Sequence, residues 1–255
     1  MANNSTTRFS DRVENYVKYR PSYPERIIAF LQKAYDLTTD KTIADIGSGT
    51  GISSKLFLDN GYTVIGVEPN KEMRDKSNEI LRAHSRFSTV GGTAENTLLT
   101  DRSVDAIIAG QAFHWFDRSK CKPEFIRILK PGGLLALIWN ERREDSDFEK
   151  EYDLLIKKHA IDYVAVDHRN IHDTDIQAFC EPFSVQLEIF PNHQLFDFNG
   201  LKGRLLSSSY MPTETQKGFP EMLEDLQKLY QKYQNDNRII ISYTTKVYVS
   251  VFAKS

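Results

Sequence analysis

The chain predicts an α/β fold, a doubly wound and mostly parallel seven-stranded sheet. Three observations carry this. Short apolar runs alternate with helical patterns from residue 25 to residue 140. The first run, Thr42-Ile43-Ala44-Asp45-Ile46, ends in Gly47-Ser48-Gly49-Thr50-Gly51 and passes at once into a helical stripe through Ile52, Leu56 and Phe57, the signature of strand, tight loop and helix. Residues 183–190 and 238–252 alternate apolar and polar, the latter through Tyr243, Val247, Val249 and Val251, and read as two further strands.

Taken in order, residues 1–8 read as a tail. Residues 9–24 are rich in aromatic and basic side chains, and Val13, Tyr16, Val17 and Arg20 share one helical face. Arg20-Pro21 ends that helix, because the residue before proline is pushed out of the α region. Ser22-x-x-Glu25 has the form of a capping box and opens a helix with Ile27, Ile28, Leu31, Ala34 and Tyr35 inward. A second strand within 61–69 ends in Glu68-Pro69, and a helix over 70–83 is capped by Asn70. Residues 86–91 form a third strand. The fourth, 104–110, is apolar apart from Asp105, as a strand buried on both faces requires. A helix over 122–130 stops at Pro131-Gly132-Gly133, a turn into a fifth strand at 134–139. A helix over 147–160 and a weakly patterned connection, 161–179, lead to the final strand pair. Between those strands lies an insertion, 191–237, with a helix over 221–233 whose stripe is Met222, Leu223, Leu226, Leu229, Tyr230 and Tyr233. The organisation expected is one domain: an arm or lid (1–24), a core (25–190), a capping insertion (191–237) and a last strand (238–255).

Composition excludes several classes. With 40% hydrophobic and 27% charged residues the chain is ordinary globular material, and a formal net charge of −2 supplies no general basic field for nucleic acid. Arg8, Arg12, Lys18 and Arg20 form the one local patch that could engage it. The start is polar and lacks the apolar centre of a signal peptide, and the longest apolar run, 134–139, is far too short to span a bilayer. Two isolated cysteines, Cys121 and Cys180, make neither a disulfide framework nor a zinc site, and no metal is expected. A cytoplasmic protein, monomeric or weakly dimeric, is expected.

The chemistry begins at the glycines. A glycine-rich turn feeding a helix N-terminus brings backbone N–H groups and a partial positive charge to one point. Glu68 follows Gly47 by 21 residues, the distance at which an acid at the end of the next strand reaches the ribose hydroxyls of an adenosine. The dinucleotide fingerprint is G-x-G-x-x-G, whereas this chain has G-x-G-x-G with Asp45 two residues ahead. That spacing speaks against, without removing, an oxidoreductase using NAD.

These motifs resemble motif I and the second-strand acid of the class I S-adenosylmethionine-dependent methyltransferases. The run Leu129-Lys130-Pro131-Gly132-Gly133 is similar to the same class, Tyr16…Arg20-Pro21-x-Tyr23-Pro24 resembles the N-terminal signature of one of its subgroups, and Gln111-Ala112-Phe113-His114-Trp115-Phe116 resembles the small-molecule subgroup that contains the trans-aconitate methyltransferases. The resemblance implies that the last two strands close the sheet as an antiparallel pair. The resemblance implies that Asp45, Gly47, Ser48, Gly49 and Gly51 hold the methionine part of S-adenosylmethionine, Glu68-Pro69 the ribose, and Thr93, Ala94 and Glu95 the adenine. Gln111 would complete the cofactor site. S-adenosylhomocysteine would be the product, and O-methylation of a small carboxylic acid the reaction. A metabolite methylated at another oxygen or at nitrogen, and a catalytically silent cofactor-binding protein, are the other readings. Tyr16 and Arg20 suit the cationic sulfur and the carboxylate of that cofactor. His114 is the candidate catalytic base or acceptor contact. Trp115, Asn140, Arg142, Arg204, Ser208 and Tyr210 are the other acceptor candidates, the last three from the insertion that roofs the acceptor site in that family.

Overall fold

In the computed structural model, which describes residues 17–161, 172–208 and 210–252, the apolar runs become seven strands: β1 (Thr42–Ile46), β2 (Thr63–Val67), β3 (Phe87–Val90), β4 (Val104–Gly110), β5 (Leu129–Arg142), β6 (Gln186–Phe196) and β7 (Ile239–Phe252). The helices between them are α1 (Arg26–Tyr35), α2 (Ile52–Asp59), α3 (Lys71–Ile80), α4 (Arg118–Ile128), α5 (Asp147–His159), α6 (Asp173–Cys180), α7 (Phe198–Leu206) and α8 (Phe219–Tyr233). The strands form one sheet in the order β3-β2-β1-β4-β5-β7-β6. The first five run parallel, and β7 lies antiparallel to both β5 and β6. The predicted class I topology is therefore the one observed.

Successive residues of the central strands point to opposite faces, which gives two apolar layers. Ala44, Ile46, Ile107 and Leu135 join Phe125 of α4 and Ile176 of α6 on one face. Ile43, Val64, Ala106 and Ile108 join Ile27 and Leu31 of α1 and Phe57 of α2 on the other. Each fully buried Ile, Leu, Val or Phe side chain among them contributes roughly 1.5–3 kcal/mol. A third cluster lies beyond the sheet, where α5, α7 and α8 pack on Phe196, Ile239, Ile241 and Tyr243 at the ends of β6 and β7. These elements form a second lobe beside the sheet.

Several boundaries differ from the sequence reading, each for a local reason. Ser22 does not cap α1. Glu25 precedes the helix without a side-chain cap bond, and the Ser22 carbonyl accepts from Asn140 and Asn192 instead. Helix α4 begins four residues early because Asp117 caps it, accepting from the Ser119 N–H at 3.2 Å. Strand β5 begins at Leu129, and the Pro131-Gly132-Gly133 turn bulges out of it where the register shifts between Val104 and Ala106. Strand β6 runs through Pro191 to Phe196, so the capping insertion starts after residue 196 rather than at 191. As an edge strand it tolerates a proline. Part of the expected 161–179 connection is helix α6; residues 162–171 lie outside the described residues. Cys121 and Cys180 are buried and unbridged. No described helix is long and apolar enough to cross a membrane, and no described cluster of His, Cys, Asp or Glu could hold a metal ion.

The loop after β1 is held from beneath. Asp45 is wholly buried at the end of β1 and accepts from the hydroxyls of Ser53 and Ser54 in α2, both at 2.6 Å. Burial lifts its pKa to about 6 against the pull of those bonds. The folded protein thus keeps a proton that the unfolded chain releases near pH 4, and its stability falls as pH rises from there to about 6. Asp45→Asn is expected to flatten that slope, worth on the order of 3 kcal/mol, in denaturant midpoints measured across the same range. Gly47 has φ +69°, and a Cβ there would lie 2.7 Å from the Ala112 Cβ. Gly47→Ala is expected to cost about 1–3 kcal/mol in urea unfolding. Gly49→Ala, with φ +55° and nothing within 4 Å of its Cβ position, should cost only the backbone strain of about 1–2 kcal/mol.

Candidate active site

Strand order reverses between β1 and β4, so the loops leaving these strands depart to opposite faces and open a crevice at their carboxyl ends. Two clefts of about 1000 Å³ each, counting space open to solvent, meet there. They share Gly47, Gly49, Gly110, Gln111 and Trp115.

One cleft is acidic. Glu68, at the end of β2, is buried. Its Oε2 accepts from the Gly49 N–H at 2.9 Å and its Oε1 from the Asn70 N–H at 2.8 Å. Each oxygen retains a lone pair for a further donor. Burial raises the carboxyl pKa even against these bonds. Asn70 also caps α3, accepting from Met73 N–H at 2.9 Å. Pro69, Met73, Thr93, Ala94 and Phe116 complete the walls with Glu95. Glu95 stands in no helix; its Oε1 accepts from the Asp117 N–H at 2.8 Å and ties the 93–96 turn to the start of α4.

The other cleft is basic. Arg20, Arg142 and Arg204 line it, and no Asp or Glu does among the described residues. The Arg20 Nη2 donates to the Ser207 carbonyl at 3.0 Å. Arg142 pairs with Asp153, which also receives Lys157 at 2.5 Å, and it lies 5.4 Å above the Tyr152 ring. Arg204 is only 8% exposed and has no carboxylate partner among the described residues. Its Nε donates to the Tyr243 hydroxyl at 3.1 Å, and its Nη1 to Ser207 and Ser208 at 3.4 and 3.3 Å. Burial works against its charge, but the surrounding hydroxyls of Tyr243, Tyr152 and Tyr210 outweigh it and hold the guanidinium above its ordinary pKa. His114 sits in a 3₁₀ turn, Phe113–Trp115. Burial first, and the Arg20 charge second, push its pKa down to about 4, so it is neutral at pH 7.

The predicted residues thus separate. Gly47, Ser48, Gly49, Glu68, Pro69, Thr93, Ala94, Glu95, Gln111, Arg20, His114, Trp115, Arg204 and Tyr210 all border one cleft or both. Gln111 has φ +55°, and its side-chain carbonyl accepts from the Asn140 N–H at 2.5 Å. Four others border neither cleft or are already engaged. Asp45 lies beneath the loop. Gly51, with φ +87°, faces Leu81, whose Cδ1 would stand 2.6 Å from a Cβ there. Ser208 lies behind Arg204. Asn140 borders the basic cleft, but its amide accepts from Thr245 (2.5 Å) and Asn192 (3.1 Å) and donates to the Ser22 carbonyl (3.2 Å), so it moors the arm to the sheet. Tyr16 lies outside the described residues. Tyr23, Thr50 and Tyr243 line the basic cleft without having been singled out. Tyr243 could not be, since only the pairing of β7 on β5 sets it opposite Arg142.

The glycine loop fits an adenosine-bearing cofactor. A Cβ on Gly49 would meet no protein atom within 4 Å and would enter the space where the two clefts join. The acidic cleft can accept hydroxyl donors, and the basic cleft can receive a carboxylate.

The comparisons agree with this geometry. Residues 44–137 match a family model described as a methyltransferase domain. A protein of Mycobacterium tuberculosis described as an uncharacterized methyltransferase is 39% identical over 145 residues, 56% of this chain and 56% of that protein. The match thus spans about half the length of that relative. One from Schizosaccharomyces pombe, described in the same way, is 26% identical over 95% of this chain and 96% of its own length. A solved structure from Anaeromyxobacter dehalogenans, described as a candidate type II methyltransferase, superposes with a TM-score of 0.69 at 21% identity, covering 93% of this chain and 100% of that one. Residues 44–137 thus resemble a methyltransferase domain, and the chain has the class I, Rossmann-like methyltransferase fold.

Proposed function

We propose that this protein transfers a methyl group from S-adenosylmethionine to the carboxylate of a small organic acid, releasing S-adenosylhomocysteine and a methyl ester. The observation that carries the acceptor class is Arg204, a buried cation lined by hydroxyls and, among the described residues, lacking a carboxylate partner, in a cleft whose described lining has two more arginines and no acid. Leaving such a charge uncompensated is costly, and an anionic acceptor compensates it.

S-adenosylmethionine, when bound, supplies a methyl group on a positively charged sulfur. In this reading Glu68 accepts the ribose hydroxyls, Pro69, Thr93, Ala94 and Glu95 surround the adenine, and Gly47, Ser48, Gly49 and Gln111 shape the floor. Arg20 receives the cofactor carboxylate, and the arm that carries it shields the cleft from water. Arg204 orients the acceptor carboxylate, with Trp115 and Tyr210 as walls. A carboxylate is already ionised at neutral pH, so no side chain has to take a proton. Orientation and exclusion of water do the work, for which well-aligned reactants can supply on the order of 7–11 kcal/mol. His114, held neutral by its burial and by Arg20, serves as a polar wall rather than a base.

Incubation with S-adenosylmethionine and a panel of small carboxylic acids tests the proposal; a methyl ester should form, and products methylated only at nitrogen would overturn it. Calorimetry should show micromolar binding of S-adenosylhomocysteine and none of NAD. Glu68→Gln should weaken that binding by about 1–3 kcal/mol, since the ribose hydroxyls lose an ionised acceptor. Arg204→Gln should raise KM for the acid about tenfold or more while leaving the calorimetric Kd for S-adenosylhomocysteine unchanged. His114→Asn should leave kcat near the wild-type value at neutral pH; a loss of about 10²-fold or more would assign that histidine as a base.

A further inference from the structure

A chain of hydrogen bonds runs from the N-terminal arm to the guanidinium of Arg204. The Tyr19 carbonyl accepts from Gln194 Nε2 at 3.1 Å. Gln194 Oε1 accepts from the Tyr243 hydroxyl at 2.8 Å. The Tyr243 oxygen in turn accepts from Arg204 Nε at 3.1 Å. The direction of this chain is set at its far end. A carbonyl can only accept, so Tyr19 turns the amide nitrogen of Gln194 toward the arm and its oxygen toward Tyr243. The Tyr243 proton is thereby committed to Gln194, and a lone pair is left facing Arg204. Without Gln194 that hydroxyl could turn its proton elsewhere, into the cleft included.

The arm also grips helix α7 on both sides of Arg204. The ring of Tyr19 lies over Gly203, where a Cβ would come within 2.0 Å of a ring carbon. One turn later Arg20 Nη2 donates to the Ser207 carbonyl. Tyr243 comes from β7, Gln194 from β6, Arg204 from α7 and Tyr19 from the arm, so no single element orients the guanidinium. The partners on Nη1 are long, at 3.3 and 3.4 Å, which leaves the Tyr243 bond as the best-formed hold on the group. Nη2 makes no hydrogen bond to a described residue and remains to meet a ligand.

We infer that Tyr243 and Gln194 are positioning residues for the acceptor anion, acting through Arg204 and making its orientation depend on the docked arm. The inference rests on the reading of Arg204 as the acceptor contact. It assigns a role in anion affinity to two side chains that touch neither the glycine loop nor Glu68.

The test is fluorine NMR titration of the full chain, saturated with S-adenosylhomocysteine, with trifluoroacetate as a permanently ionised carboxylate probe. Wild type should show saturable binding. Tyr243→Phe, which keeps the ring and removes only the hydroxyl, and Gln194→Met should each weaken it on the order of tenfold. The double variant should be no weaker than either single one, because both break the same chain. Affinity for S-adenosylhomocysteine should not move. Wild-type trifluoroacetate affinity in Tyr243→Phe or Gln194→Met would overturn the inference, and so would a loss matched by an equal loss of S-adenosylhomocysteine affinity. Arg204→Gln separates the two levels. If it abolishes binding while the positioning variants do not, only this inference falls. If it binds the probe normally, or if wild type shows no saturable binding, the reading of Arg204 falls as well.

Discussion

Two buried carboxylates hold the loop on which the rest of the molecule depends. Asp45 grips it from below through Ser53 and Ser54, and Glu68 from the side through the Gly49 N–H. Both are anions taken out of water, and each raises the difficulty of charging the other; Glu68 adds to the upward pressure on the Asp45 pKa. Hydrogen bonds to backbone and hydroxyl donors make this tolerable. In return, three positive-φ glycines stay in conformations that leave the mouth of the crevice clear.

Around this loop the charges divide. The acidic half draws on the ends of β2 and the 93–96 turn, the basic half on the arm, the end of β5 and helix α7. Because the two halves meet at Gly47, Gly49 and Trp115, a ligand lying across them would find acceptors for hydroxyls at one end and cations for a carboxylate at the other. The basic half is not a product of the parallel sheet. It exists because β6 and β7 overrun the sheet and carry Phe196, Ile239, Ile241 and Tyr243 into the lobe. There they give α5, α7 and α8 an apolar surface to pack on.

Most of the acidic cleft could be read along the chain. Glycine loop, acid and strand end follow one another at short spacing, and local spacing is what a linear reading sees. The basic cleft was legible only in part. Arg204 was found as a basic residue among polar ones, but its lack of a carboxylate partner among the described residues depends on what α5, β6 and β7 bring beside it. Arg142, its neighbour in the cleft, is neutralised by Asp153 from a different helix. Asn140 had the right place for an acceptor contact, yet its amide is committed to Ser22, Asn192 and Thr245, partners up to 118 residues away. Gly51 and Asp45 kept their place in the motif but act on Leu81 and on Ser53 and Ser54. His114 kept its place in the crevice, while burial removed the proton affinity that made it a candidate base.

The sequence by itself determined the order of strands and helices, the glycine turn and the acid that faces it. Periodicity and φ preferences act over a few residues and need no distant partner. The tertiary structure alone decided which polar groups remain available. Whether a guanidinium or an amide is spent or open is a matter of what other segments place within 3 Å of it. Register carries that information: β7 on β5 sets Tyr243 opposite Arg142, and β6 on β7 sets Asn192 opposite Tyr243. A shift of one residue in either pairing would turn those side chains to the other face.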